Sequence, residues 1–152
     1  MTPTYHSTEQ KIDFLLKKFR DGSFDDYTQS HIANYVCVLL SGLIENAIRD
    51  IISAHVETKS TPRIANYVKS HLDRFRNPDP ESVTRLLLSF DAALVDRLEG
   101  HWSGEIKDAV GSIVGNRHLI AHGRSTTLTL ARVGEWFKSA KNLIAFLEAE
   151  FA

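Results

Sequence analysis

The sequence predicts an all-α fold: a single-domain bundle of five to six helices over its 152 residues. Two observations carry that expectation. Apolar residues recur at steps of three, four and seven along most of the chain, the spacing of one helical face. Capping residues, prolines and glycines punctuate those runs, and no repeat, low-complexity tract or domain-dividing linker interrupts them.

Taken in order, Ser7-Thr8-Glu9-Gln10 has the form of a capping box, with Ser7 as cap and Gln10 answering it. Ile12, Leu15, Leu16 and Phe19 mark one face of the helix that follows, stopped near Asp21-Gly22. After Asp25-Asp26 a much longer helix reads Ile32, Tyr35, Val36, Leu39, Leu40, Leu43, Ala47, Ile48, Ile51 and Ile52 without a proline, a length suited to a central helix. Thr61-Pro62 supplies a cap and a first-turn proline for a helix through Ile64, Tyr67, Val68, His71, Leu72 and Phe75. Asn77-Pro78-Asp79-Pro80 breaks the chain, and Asp79 caps a helix whose buried side is Val83, Leu86, Leu87 and Phe90. Asp91 to Leu98 either continues that helix or starts another. Ser103-Gly104-Glu105 opens the next, which ends at Gly123. A Thr-rich segment, turn-like or briefly extended, leads to a last helix with Val133, Trp136, Phe137, Ala140, Leu143, Ile144, Leu147 and Phe151.

Composition narrows the function classes. Apolar content of 43% with 24% charged residues is globular. A net charge of −1 provides no global field for nucleic acid, so any RNA or DNA contact must be a local cluster of arginines and histidines. Cys37, the single cysteine, allows no internal disulfide and fits a reducing cytoplasm. No apolar signal core opens the chain, and its longest near-apolar run, Tyr35 to Ile44, is too short to span a bilayer. A cytoplasmic protein without membrane contact is expected.

The helix ending at Gly123 is where chemistry concentrates. Its stripe is Ile106, Val110, Ile113 and Ile120, with Arg117 where an aliphatic residue is expected. A guanidinium keeps its charge, so that position calls for an acid or an anion. Beside it run Gly111, Gly115, His118 and His122. Two helix-interior glycines cost about 1 kcal/mol each against alanine, which points to a close approach along that line. Arg117 and His122 are separated by about 140° and roughly 7.5 Å along a helix, within reach of one phosphate. A histidine can exchange protons with a ribose hydroxyl near neutral pH, and a fixed guanidinium can stabilise charge building on phosphorus. The plain alternative makes Arg117 half of a structural ion pair and His122 a cation at a helix end. Glu45 has two readings: a surface partner of Arg49 four residues on, or the acid that meets Arg117 across the core, with Ser41 and Gly42 letting two helices close up. His118 and His122 could hold one face of a metal, but a zinc site needs three or four ligands and none completes the set, so no metal or cofactor is expected. Trp136, Phe137 and Tyr67 lie in apolar stripes and read as core, not as base-stacking platforms.

Arg117-His118-Leu119-Ile120-Ala121-His122-Gly123 resembles the R-x4-6-H signature of the HEPN superfamily. The ending Ile120-Ala121-His122-Gly123, the Thr-rich segment and Gly134-Glu135-Trp136-Phe137 look most like its RiboL-PSP-type branch. The resemblance implies a helical bundle that dimerises with two motif helices facing each other. It implies a composite, metal-independent site that cleaves RNA to a 2′,3′-cyclic phosphate, as in toxins and anti-phage defence effectors. Arg117 and His122 take the two signature roles, and Glu45 resembles the acid that orients the arginine. The residue after the arginine is often Asn in the superfamily; here it is His118, with Asn116 before the arginine, so either could act in support. Partners implied are RNA (tRNA or mRNA), a second copy of the chain, and an antitoxin or nucleotidyltransferase. Since some HEPN domains are non-catalytic, a module that binds protein, nucleotide or RNA is the alternative. A third possibility is a bundle with no site, in which Arg117 merely pairs with Glu45.

Overall fold

A computed structural model describes residues 4–102 and 104–152. Among them the chain forms seven helices: α1 (Thr4–Phe19), α2 (Asp26–Lys59), α3 (Pro62–Leu72), α4 (Pro80–Leu88), α5 (Ala92–Trp102), α6 (Glu105–Ala121) and α7 (Leu130–Glu150). The expected count of five to six falls one or two short of this, in part because 92–102 is a helix of its own. Asp91 separates it from α4 by accepting a hydrogen bond from the Ala93 N–H at 3.0 Å, as a capping aspartate does.

Caps set most of the boundaries. Asp25 accepts from the Thr28 N–H, Asp79 from Ser82 and Thr129 from Arg132, each satisfying one of the orphan donors of a first turn. Thr61 precedes Pro62 without a side-chain cap bond, so the proline's fixed φ opens α3. Ser7 is not a cap: it lies inside α1, which starts at Thr4. Distant partners explain the earlier start. Thr4 Oγ1 donates to Asp50 at 2.7 Å, and buried Tyr5 donates its hydroxyl to Glu148 at 3.0 Å. Gly104 opens α6 with φ +75°, while Ser103 lies outside the described residues.

α2 is the axis of the bundle, touching α1, α3, α6 and α7. Its buried face runs from Ala33 to Val56 and joins one continuous core with α6 and α7. α6 lies antiparallel to α2. The Cys37 thiol points at the Ile113 carbonyl oxygen, 3.5 Å away, and Asn34 meets Thr126 beyond the end of α6. Trp136 and Phe137 are core, as expected; Tyr67 is not, with 66% of its surface exposed. α3 packs against α2 alone among the helices, and turns Ala65 and Leu72 inward instead. Among the described residues no helix is long and apolar enough to cross a membrane.

Candidate functional site

Burial along α6 falls off toward its C-terminus. Ala109, Val110, Ile113 and Val114 are buried; Arg117, Leu119 and Ile120 are half-buried; His118, Ala121 and His122 are exposed. Arg117 therefore sits where the apolar stripe meets water, and its charge can be solvated without an internal acid. Among the described residues no carboxylate pairs with it.

Glu45 is engaged elsewhere. Arg49 Nη2 donates to it at 2.5 Å, and Arg76 Nε lies 3.9 Å away. The helix register explains why it does not reach Arg117. From the Cys37–Ile113 contact, Glu45 lies eight residues one way along α2, while Arg117 lies four residues the other way along the antiparallel α6. Twelve residues of rise put them roughly 18 Å apart along the shared axis. The Arg49 reading of Glu45 is the one the structure forms.

The end of α6 is built by a Schellman motif. His122 is the cap, Gly123 adopts φ +69°, the Arg124 N–H donates to Leu119 O at 2.8 Å, and the Gly123 N–H donates to Ile120 O at 3.1 Å. Replacing Gly123 by alanine should cost about 1 kcal/mol, because a β-carbon is strained in the left-handed region. Urea unfolding measures it, and an unchanged midpoint would contradict it.

The structure brings His118 and His122 together, their ring centroids 6.0 Å apart and their planes at 29°. Asn116 instead donates its amide to Ser112 O, 2.8 Å away on its own helix. Of the two glycines, Gly111 faces Pro80, whose ring carbons would lie 3.6 Å from an added Cβ. At Gly115 an added Cβ meets nothing within 4 Å, so that part of the line faces open space. No group of three metal-ligating side chains includes the two histidines among the described residues.

Two contributors are not evident from periodicity. Thr126 Oγ1 donates to Asn34 Oδ1 at 2.5 Å, tying the segment after the motif to α2; no local pattern signals such a long-range pair. Arg124, exposed and two residues past His122, adds a second guanidinium near the helix end. A signal for it exists in the charge pattern. From residue 109 to 134 the chain has no Asp or Glu, yet holds Arg117, Arg124, Arg132, His118 and His122. The helix end thus presents cations and exposed imidazoles, a surface suited to a phosphate diester.

Residues 4–152 match the family model RiboL-PSP-HEPN, and the chain belongs to that branch of the HEPN superfamily. No curated protein and no solved structure matches it.

Proposed function

We propose that the chain is a metal-independent endoribonuclease, with Arg117 and His122 as its catalytic residues. The observation that supports this best is the half-exposed Arg117, with no carboxylate partner, on the helix end that pairs the His118 and His122 rings. Neutral His122 takes the proton from a ribose 2′-hydroxyl, whose oxygen attacks the adjacent phosphorus. The 5′-oxygen leaves with a proton from a second imidazole, and a 2′,3′-cyclic phosphate remains. Arg117 holds the non-bridging oxygens as negative charge builds on them. His118, or the equivalent histidine of a second copy, supplies the leaving-group proton. Incubating the protein with tRNA or mRNA in EDTA tests the reading: products ending in a cyclic phosphate uphold it, and intact RNA bound without cleavage favours the non-catalytic module.

A composite site needs two copies with their α6 helices facing, and the open face at Gly115 suits such an approach. Gly115→Ala should stabilise the isolated chain by about 1 kcal/mol through helix propensity, since the methyl group meets nothing there. In the dimer the same methyl intrudes on a close contact and weakens association. Thermal unfolding at low concentration and sedimentation equilibrium read the two effects; unaltered association would sink this assignment of the interface. A role as a cytoplasmic toxin or anti-phage effector, with an antitoxin or a nucleotidyltransferase as partner, is part of this proposal and suits an RNA substrate.

A further inference from the structure

α3 has an outer face that the bundle does not use. Ile64 is 56% and Tyr67 66% exposed, and the Tyr67 ring stands edge-on to His71 at 4.6 Å. Arg63, Tyr67, Ser70 and Arg74 follow one another at steps of four, three and four, so they fall within about 60° of one another around the axis. All four are exposed. Arg74 continues the line in the turn that closes the helix, where its N–H donates to His71 O at 3.2 Å.

The charge of this stretch is opposite to that of the chain. Residues 59–76 hold five basic side chains and one acidic one, Asp73, within a protein of net charge −1. Lys69 is paired with Glu57, and Arg76 is bound to the carbonyl oxygens of Asp73 and Phe75. Arg63 and Arg74 have no carboxylate partner among the described residues. Two guanidiniums without carboxylate partners flanking an exposed aromatic ring are what a single-stranded nucleic acid uses: phosphates go to the cations and a base stacks on the ring.

We propose that this face of α3 is a docking strip for single-stranded RNA, with Arg63 and Arg74 on phosphates and Tyr67 beneath a base. The inference rests on RNA being the substrate and adds where the strand is held. Arg49 Nε donates to Leu72 O at 3.2 Å, which sets the end of α3 beside Arg49 of α2. The Cys37–Ile113 register sets Arg117 beside the first third of the same helix. Sixteen residues of rise separate the two levels by roughly 24 Å, so only an RNA several nucleotides long engages both.

The test uses the His122→Ala chain, so that labelled single-stranded RNA of about 20 nucleotides stays intact, and follows binding by fluorescence anisotropy. Tyr67→Ala should weaken binding about tenfold, while Tyr67→Phe, which keeps the stacking face, holds it. Arg63→Gln with Arg74→Gln should lower the slope of log affinity against log salt by about 1.4, two single-strand phosphate contacts. With His122 restored, all these variants should cleave a trinucleotide as fast as the unaltered chain. Unchanged affinity and salt slope would overturn the strip even if RNA is cleaved, leaving the face to a protein partner. The expected losses in a protein that cleaves nothing would uphold the strip and sink the nuclease reading alone.

Discussion

His122→Ala is expected to slow RNA cleavage by about a hundredfold or more, the contribution of a positioned proton acceptor. The helical fold should be untouched. His122 is exposed and caps α6 through its backbone, and its ring lies 6.0 Å from that of His118, outside the core. Substitutions at such surface positions usually change stability by no more than about 0.5 kcal/mol. Arg117→Ala should cost about as much, since removing one donor aimed at developing charge slows acyl-transfer enzymes by roughly two to three powers of ten. Arg117→Lys keeps the charge but loses the planar fork, and should recover only part of the rate. Cleavage of tRNA and mRNA is followed alongside far-ultraviolet circular dichroism. If His122→Ala and the unaltered chain degrade RNA equally fast, His122 is not the base.

The largest loss of stability is expected at the opposite end of α6. Trp102 closes α5 and is fully buried; its indole N–H donates to Glu99 at 3.3 Å, and Lys107 lies 5.9 Å from its ring centre. Truncation to alanine removes the largest of the fully buried side chains. It should cost about 3–5 kcal/mol. For a chain of this length that lowers the melting temperature on the order of 10 °C. Because Lys107 of α6 lies over the Trp102 ring, the loss should also soften the helix that carries Arg117. Thermal and urea unfolding measure it, and a change below about 1 kcal/mol would contradict it, since the transfer cost of the indole remains even where the site collapses.

Much of this architecture is legible in the sequence, and the exceptions have physical causes. α2 and α7 are evident because each buries a long apolar stripe. Asp25, Asp79 and Pro62 mark starts because capping is local chemistry. The start of α1 is not legible, since Thr4 and Tyr5 are held by Asp50 and Glu148 far along the chain. α5 is legible only through Asp91, a signal easily lost beside a helix lacking a glycine or proline stop. In α3 the large side chains mislead: one-sided packing on α2 turns Ala65 inward and leaves Ile64 and Tyr67 in water. At the site, Arg117 and His122 stand out by residue type. The partner of Glu45 depends on helix register, which one-dimensional periodicity does not contain.

The Cys37 thiol, facing the Ile113 carbonyl, gives the protein a built-in clock. It is the only sulfhydryl in the chain, it is fully buried, and burial pushes its pKa up to about 12. A maleimide reacts with thiolate, so labelling waits until the core around Cys37 opens and admits water. The rate of labelling in native buffer therefore counts openings of the core on which the helix bearing Arg117 rests. Anything that clamps that helix, a bound strand or a second copy, lengthens the interval.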